Sequence, residues 1–256
     1  DKLEKSLARG WRGALRLAAA AVALGGAARK AGLALQGKIA AAGGDGDGLA
    51  ECGADELAGA LANPANRAIL LRPGTYPGVV VVDRAVRIVG ADGGDALATL
   101  DRLEIAASGV AVEGLEVIGG ATVAAGARDV EFRKCVLSNE NGTALRVAGA
   151  CLVDASVVEH CRDGISVEEG AGLYAKGTTV QYADADGILA AGSVILEDVE
   201  IRDCGRRGVT STAAVEERGS CEIQGDKSAP RHIPKNDDAD EDIDGMLAAP
   251  LKRHGS

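Results

Sequence analysis

Short runs of branched apolar residues, separated by glycine or proline, dominate the chain from residue 68 onward. The clearest runs are residues 69–71, 79–82 and 86–89. Runs of this length between turn residues predict β-strands. Upstream of them, residues 54–62 predict a short helix that ends near Asn63-Pro64, because proline cannot continue a helix.

Beyond residue 110 the pattern repeats about every 22 residues. The first glycine series is Gly142, Gly164, Gly187 and Gly208, and the second is Gly149, Gly170 and Gly192. A short alternating strand follows each glycine of the first series, starting at Leu145, Ile165, Ile188 and Val209. Two apolar ladders have the same period: Val130, Leu152, Leu173 and Ile195; and Leu115, Val136, Val158, Val180 and Ile201. Equivalent residues stack in rows when each repeat is one turn of a solenoid.

A period near 22 residues, built from strands and glycine turns, predicts an all-β solenoid of the parallel β-helix type. A leucine-rich repeat would show L-x-x-L-x-L with Asn or Cys, and a propeller blade needs about 40 residues. Residues 67–225 would form roughly seven turns, with strands about 4.8 Å apart. We expect a stacked interior of Val, Ile and Leu, capped at its N-terminal end by the helix of residues 54–62.

Composition fits this narrow interior. Aromatic residues make up 2% of the chain, and 36 of its 256 residues are glycine, so the core must be aliphatic. Glycine shows no G-X-Y period, which excludes collagen. The net charge of −10 excludes a generally basic nucleic-acid binder, since phosphate neutralisation needs clustered cations.

The N-terminal segment differs from the repeat. Residues 1–38 hold eight cations and two acids, and an apolar stripe at helical spacing is formed by Leu3, Leu7, Trp11 and Leu15. We predict a basic amphipathic helical extension, residues 1–42, that packs on the domain or on a partner. Contact with a membrane surface and a signal or transit segment are the alternatives.

The remaining boundaries follow from composition. Residues 43–66 read as a glycine-rich linker and the capping helix, and residues 226–256 as a mostly disordered acidic tail. The six cysteines show no C-x-x-C spacing, so reduced, buried thiols are expected instead of a zinc site or a disulfide framework. This favours an intracellular location, with organelle targeting left open.

The segment Leu71-Arg72-Pro73-Gly74-Thr75-Tyr76, followed by a valine run and residues 86–90, resembles the opening turns of right-handed parallel β-helix proteins of the pectin-lyase-like fold. Residues 161–167 and 184–188 are similar to repeats of NosD-type proteins and of the C-terminal region of certain F-box only proteins. The resemblance implies a right-handed β-helix. The proteins of this fold include polysaccharide lyases and hydrolases, a copper-maturation factor and ubiquitin-ligase adaptors.

One cluster suggests chemistry. Aligning the repeats on their glycines places Asp163, Asp186 and Arg207 in one row, with a second row of Glu159, Tyr182 and Asp203 beside it. Paired carboxylates could bind a cation or perform acid catalysis, and an arginine could hold an anionic sugar. The alternative is that aspartate before glycine is ordinary turn chemistry, with Arg207 in a solvated ion pair. The Asn-Thr-Asp and Gly-His-Gly signatures of the polygalacturonase relatives are absent.

Two other motifs are weaker. His160 and Cys161 are adjacent on a strand and should point to opposite faces, which argues against a nucleophilic pair. Asp240, Asp242 and Asp244 match the first half of a calcium-binding EF-hand loop, but Leu251 stands where the loop needs Glu. We predict no cofactor.

The sequence therefore favours a non-enzymatic binding or scaffold protein that uses the faces of a β-helix. A protein partner is expected, a carbohydrate is the second choice, and nucleic acid is not expected. One alternative is a lyase or hydrolase of acidic polysaccharide using Asp163, Asp186 and Arg207. Another is a structural subunit of a larger assembly, anchored through the N-terminal helix.

Overall fold

The computed structural model describes residues 48–91 and 97–224. Over these residues the chain winds into a parallel β-helix of about eight turns. The strands are β1 (Leu49–Cys52), β2 (Ala68–Leu71), β3 (Gly74–Val82), β4 (Arg87–Gly90), β5 (Ala98–Ile105), β6 (Ala111–Glu113), β7 (Glu116–Val117), β8 (Ala121–Val123), β9 (Val130–Arg133), β10 (Val136–Val147), β11 (Ala150–Asp154), β12 (Val157–Val167), β13 (Gly172–Lys176), β14 (Thr179–Ala183), β15 (Ile188–Ala190), β16 (Ser193–Glu197), β17 (Glu200–Arg202), β18 (Val209–Ser211), β19 (Val215–Arg218) and β20 (Glu222–Ile223). A 3₁₀ turn at Ala54–Glu56 leads into helix α1 at Leu57–Ala62. No helix among the described residues is long and apolar enough to cross a membrane.

Two parallel sheets form the wall of the solenoid. Sheet A takes one strand from each turn, in the order β1-β2-β4-β6-β9-β11-β13-β16-β19. Sheet B has two halves. Its first half runs β3-β5-β7-β10-β12-β14-β17-β20, and its second half continues through β8, β15 and β18. The long strands β3, β5, β10 and β12 pass through both halves, so each of those turns presents three faces.

Helix α1 closes the N-terminal end of the core. Leu57 is buried against the first turns, and Arg84 fastens the other end of the helix. The Arg84 guanidinium donates hydrogen bonds to the carbonyl oxygens of Leu61 (2.8 Å), Asn63 (2.9 Å) and Asn66 (2.6 Å). Carbonyls at a helix C-terminus lack partners within the helix, so this cation satisfies them and complements the helix dipole.

The solenoid begins earlier than the sequence predicts. The repeat predicts a start at residue 67, with residues 43–66 as a linker and cap. However, Leu49–Cys52 already forms strand β1 and pairs in parallel with Ala68–Leu71. Four residues next to a glycine-rich stretch carry too little pattern to predict a strand. The predicted extension (1–42) and tail (226–256) lie outside the described residues.

In each of the last six turns, the residue directly after the sheet A strand adopts a left-handed backbone conformation. The row is Gly114, Lys134, Ala155, Gly177, Asp198 and Gly219, with φ between 47° and 66°. Only glycine takes this conformation without steric cost. The backbone N–H of Lys134 donates to Asp154 O, and that of Ala155 donates to Lys176 O, so the corners stack in register. Because these six turns bend alike, equivalent side chains lie in straight rows.

The predicted glycine row is confirmed for three of its four members. The N–H of Ile165 donates to Gly187 O (2.9 Å), and that of Ile188 donates to Gly208 O (2.8 Å), so Gly164, Gly187 and Gly208 are stacked. Gly142 is not in this row, because the pairing of Leu145 with Ile165 aligns Ala144 with Gly164. The alternating strands that start at Leu145, Ile165, Ile188 and Val209 pair as predicted.

Both predicted apolar ladders contain one-residue errors. In sheet A, Val130 pairs with Cys151 instead of Leu152, and Leu173 pairs with Val194 instead of Ile195. In sheet B, Leu137 replaces Val136 opposite Val158, and Val117 replaces Leu115. The second glycine series is also shifted, since Gly172 N bonds to Gly149 O and Ser193 N to Ala171 O, which leaves Gly170 outside the row. Neighbouring residues at these places are all apolar or small, so alternation does not reveal which one points inward.

Four of the six cysteines are buried, as predicted, whereas Cys204 and Cys221 are half-buried. All six are free, and Cys52, Cys135, Cys151 and Cys161 are buried. Burial raises the pKa of the Cys135, Cys151 and Cys161 thiols to about 12. These thiols therefore stay protonated and unreactive at neutral pH.

Opposite charges alternate along the outer face of sheet A. In the register of successive strands the row is Glu113, Arg133, Asp154, Lys176, Glu197 and Arg218. Like charges directly opposite one another destabilise a sheet, so alternation allows six charges to stack. The best-connected member is Glu197, which accepts from Lys176 Nζ (2.6 Å) and from the Tyr174 hydroxyl.

Replacing Glu197 with glutamine is expected to lower the free energy of unfolding by about 1 kcal/mol at neutral pH. The hydrogen bond from Lys176, followed by that from Tyr174, lowers the pKa of Glu197 below its ordinary value of 4.5. The carboxylate therefore stabilises the fold fully above pH 4.5, and this stabilisation is lost as the pH falls through the lower folded pKa.

Urea unfolding at neutral pH and at a series of pH values below it checks this. The wild type should lose more stability on acidification than Glu197→Gln does. Glu131→Gln, on the same face, is the matched control. Glu131 forms an ion pair with the neighbouring Arg133 (3.0 Å), at the surface of the same strand, and its substitution should change the stability less. Equal acid sensitivity of wild type and Glu197→Gln would contradict the assignment.

Candidate functional site

The two halves of sheet B meet at a corner that gathers polar and aromatic side chains from three successive turns. We call it the polar corner and define it as residues 159–164, 181–187 and 202–210. It contains the predicted row. The N–H of Gly164 donates to Asp186 O (3.0 Å), and that of Gly187 donates to Arg207 O (2.8 Å). The backbones of Asp163, Asp186 and Arg207 are therefore stacked as predicted.

The two aspartate side chains share one cation, and this cation is not Arg207. Asp163 is 5% exposed and Asp186 is 6% exposed, whereas Arg207 is exposed to solvent. The cation predicted at Arg207 is supplied by Arg206, whose Nη2 lies 3.2 Å from Asp186 Oδ2 and 3.8 Å from Asp163 Oδ1. The turns after Ala183 and Cys204 are one residue longer than the turn after Cys161, and Arg206 belongs to this added length.

Each carboxylate oxygen of the aspartate pair has a partner. Arg162 Nε donates to Asp163 Oδ2 (2.9 Å), and Thr210 Oγ1 donates to Asp186 Oδ1 (3.0 Å). Arg206 accounts for the other two oxygens. Burying a carboxylate without such partners would cost several kcal/mol, so the two arginines and the threonine make the pair possible.

A second ladder crosses the same three turns beside the aspartates. Gln181 connects it, because Nε2 donates to Glu159 Oε2 (2.7 Å) while Oε1 accepts from Arg202 Nη2 (2.7 Å). The predicted row of Glu159, Tyr182 and Asp203 is therefore wrong by one residue at Glu159. The pairing of Glu159 with Gln181 and of Gln181 with Arg202 shows the actual row.

Tyr182 and Asp203 instead share a row with His160. All three have left-handed backbone conformations, with φ of 51°, 53° and 54° in chain order. The rings of His160 and Tyr182 stack across adjacent turns, with centroids 5.1 Å apart and planes inclined by 17°. Tyr182 remains 45% exposed, so its ring is available to a partner.

The predicted separation of His160 from Cys161 is confirmed. Cys161 is 2% exposed and lies in the core cluster, and burial raises its pKa to about 12, whereas His160 stacks on Tyr182. The two side chains do not form a nucleophile and base pair, which requires a reactive thiolate.

Within residues 48–91 and 97–224, no group of three or more His, Cys, Asp or Glu side chains is arranged to hold a metal ion. The EF-hand-like candidates Asp240, Asp242 and Asp244 lie outside these residues. The absence of a cofactor stays a prediction.

Comparisons with known proteins return little. No family model matches the chain, and no curated protein matches it. Among solved structures it is similar to the crystal structure of pectate lyase Pel9A, at 16% sequence identity and a TM-score of 0.44. The match covers 65% of this chain and 55% of that chain, so the chain spans about half the length of that lyase. The NosD-type and F-box only subtypes stay predictions.

Sequence reasoning missed Arg206, Arg162, Thr210, Gln181 and Arg202. Gln181 and Arg202 form hydrogen bonds along their own row, whereas Arg162 and Arg206 reach aspartates at other row positions. Only the Asp-Gly dipeptides at 163–164 and 186–187 gave a signal, because they mark equivalent turns.

Proposed function

We propose that the protein is a non-enzymatic binding protein that engages a macromolecular partner through the polar corner. The observation that carries the proposal is that both Asp163 and Asp186 are paired with arginine or threonine side chains. An acid, base or nucleophile must be able to reach a substrate atom. Here both carboxylates are buried. One oxygen of each accepts a hydrogen bond from Arg162 or Thr210, and the other lies 3.8 Å (Asp163) or 3.2 Å (Asp186) from Arg206 Nη2.

The pairing gives the carboxylates another use, which is to hold arginines in place. The side chains of Arg162 and Arg206 are 66% and 65% exposed, although each is anchored to a buried aspartate. Arginine and tyrosine dominate the energetically important positions of protein interfaces. An anchored guanidinium has lost part of its freedom before binding, which lowers the entropic cost of association.

Tyr182 supplies the apolar centre of this surface. Its exposed ring is supported by His160 and lies between the Glu159–Gln181–Arg202 ladder and the aspartate pair. A rigid aromatic ring surrounded by fixed polar groups matches the usual arrangement of an interface core with a polar rim. A protein is the proposed partner, and a carbohydrate is the alternative, since tyrosine also stacks on sugars.

The binding test uses the full chain as bait in an affinity capture from source extract, quantified by mass spectrometry. A partner retained by the wild type should lose about 30-fold in affinity with Tyr182→Ala, as expected of a central interface residue. Arg162→Ala should weaken it as well. Arg133→Ala is the control, because this exposed arginine lies on sheet A, away from the polar corner. Undiminished recovery by Tyr182→Ala would refute the proposed surface.

The catalytic alternative is tested separately with polygalacturonate and other acidic polysaccharides. The proposal expects no product release by the wild type. Release that Asp186→Asn abolishes while the fold is retained would overturn it in favour of a lyase or hydrolase. The anchored-subunit alternative depends on residues outside the described ranges. It predicts that deleting residues 1–38 leaves a folded monomer that no longer co-purifies with an assembly.

A further inference from the structure

The first turn exposes an apolar strip that the proposed function does not use. Val79 is 53% exposed and Val81 is 50% exposed, the highest values among the large apolar side chains of the described residues. Both point outward from β3, while Val80 and Val82 point into the core. β3 is also the edge strand of sheet B, and β5 is its one strand partner among the described residues. Proteins usually cover or charge such edges to prevent unwanted association.

The chain enters the solenoid at this same end. Residues 1–47 connect to β1, which is the edge strand of sheet A just as β3 is of sheet B. A segment of that length can reach any point on the first turn, since an extended chain spans about 3.3 Å per residue. Residues 1–47 are therefore long enough to cover the strip.

An apolar stripe in this segment complements the strip. In a helix, Leu3, Leu7, Trp11 and Leu15 would lie along one face, with Lys5, Arg9, Arg12 and Arg16 on the opposite face. A helix with this pattern buries its apolar face and leaves its cations in solvent.

We propose that residues 3–15 dock on this first turn, with their apolar stripe against Val79 and Val81 and their cations facing solvent. The contact covers the apolar strip and the edge of β3. It is independent of the polar corner, so either proposal can fail without the other.

Trp11 is the one tryptophan in the chain, and it reports directly on this contact. In the full-length wild type, its fluorescence should be blue-shifted and protected from acrylamide. The double substitution Val79→Glu, Val81→Glu should move the emission to longer wavelength and increase quenching. Val79→Thr, Val81→Thr keeps the side-chain shape and should act in the same direction. Far-UV circular dichroism establishes that each variant retains the β-helix.

Leu189→Glu is the matched control, since Leu189 is an outward apolar residue of sheet B that is 40% exposed. It should leave Trp11 fluorescence unchanged. Three results would overturn the proposal: a wild-type Trp11 that is fully exposed, protection that survives both double substitutions, or protection that disappears on dilution. The last result would assign the contact to a second copy of the chain. A Trp11 that becomes protected only when anionic lipid vesicles are added would count as the first result.

Discussion

Replacing Phe132 with alanine is expected to lower the free energy of unfolding by about 3 to 5 kcal/mol. Phe132 is the chain's one phenylalanine and is fully buried. It lies in β9 between Val112 of the preceding turn and Val153 of the following turn. Backbone hydrogen bonds fix the spacing of the turns on both sides, so the wall cannot collapse to fill the cavity. The full cost of the lost packing should therefore appear.

Urea unfolding followed by circular dichroism measures this effect. Phe132→Leu retains most of the volume and should cost less than about 1.5 kcal/mol. Glu131→Ala, next to it but on the outer face, should stay within about 0.5 kcal/mol of the wild type. If Phe132→Ala were as stable as Phe132→Leu, Phe132 would not occupy the interior that the fold assigns to it.

Gly187→Ala is expected to lower the free energy of unfolding by about 3 kcal/mol. At the row of glycines the backbones of adjacent turns approach so closely that no side chain fits between them. A Cβ at Gly187 would lie 2.6 Å from Gly208 O and 2.7 Å from Ile201 Cγ2. The backbone cannot move aside, since the N–H of Gly187 donates to Arg207 O and its carbonyl accepts from Ile165 N. The substitution would therefore strain three turns.

Gly59→Ala provides the matched control. Gly59 lies in helix α1, and a Cβ there would meet nothing within 4 Å. Alanine should stabilise the protein by about 0.5 to 1 kcal/mol, because it favours the helix and restricts the unfolded chain. Thermal and urea unfolding of the two variants should shift in opposite directions. A Gly187→Ala variant that unfolds like the wild type would contradict the close approach of the turns.

The fold could be predicted from the sequence because the repeated glycines mark equivalent corners. Gly164, Gly187 and Gly208 align three turns, and the strands after them pair as their spacing indicates. The errors occur where inward and outward residues are both apolar, so that the alternation of apolar and polar residues is lost. Cys151 and Leu152 are both apolar, and the ladder therefore predicts the outward Leu152 as a core residue.

The candidate site was predicted in part for the same reason. Asp163 and Asp186 precede row glycines, and their stacking follows from register alone. Which arginine reaches them depends on the extra residue in two of the turns and on side-chain length. The glycine alignment therefore predicts Arg207, whereas Arg206 makes the contact. Likewise, Gln181 bridges two turns through its amide, which spacing does not reveal.

Successive turns stack in the register that assembles the polar corner. Nuclear Overhauser contacts between ring protons, in protein labelled selectively at histidine and tyrosine, test this register. The chain has three residues of each type, so the spectrum is simple. We expect a cross-peak between His160 and Tyr182, because their ring centroids are 5.1 Å apart. Tyr182→Leu should remove that peak. Contact of His160 with a different tyrosine, or with none, would contradict the register and the polar corner built on it.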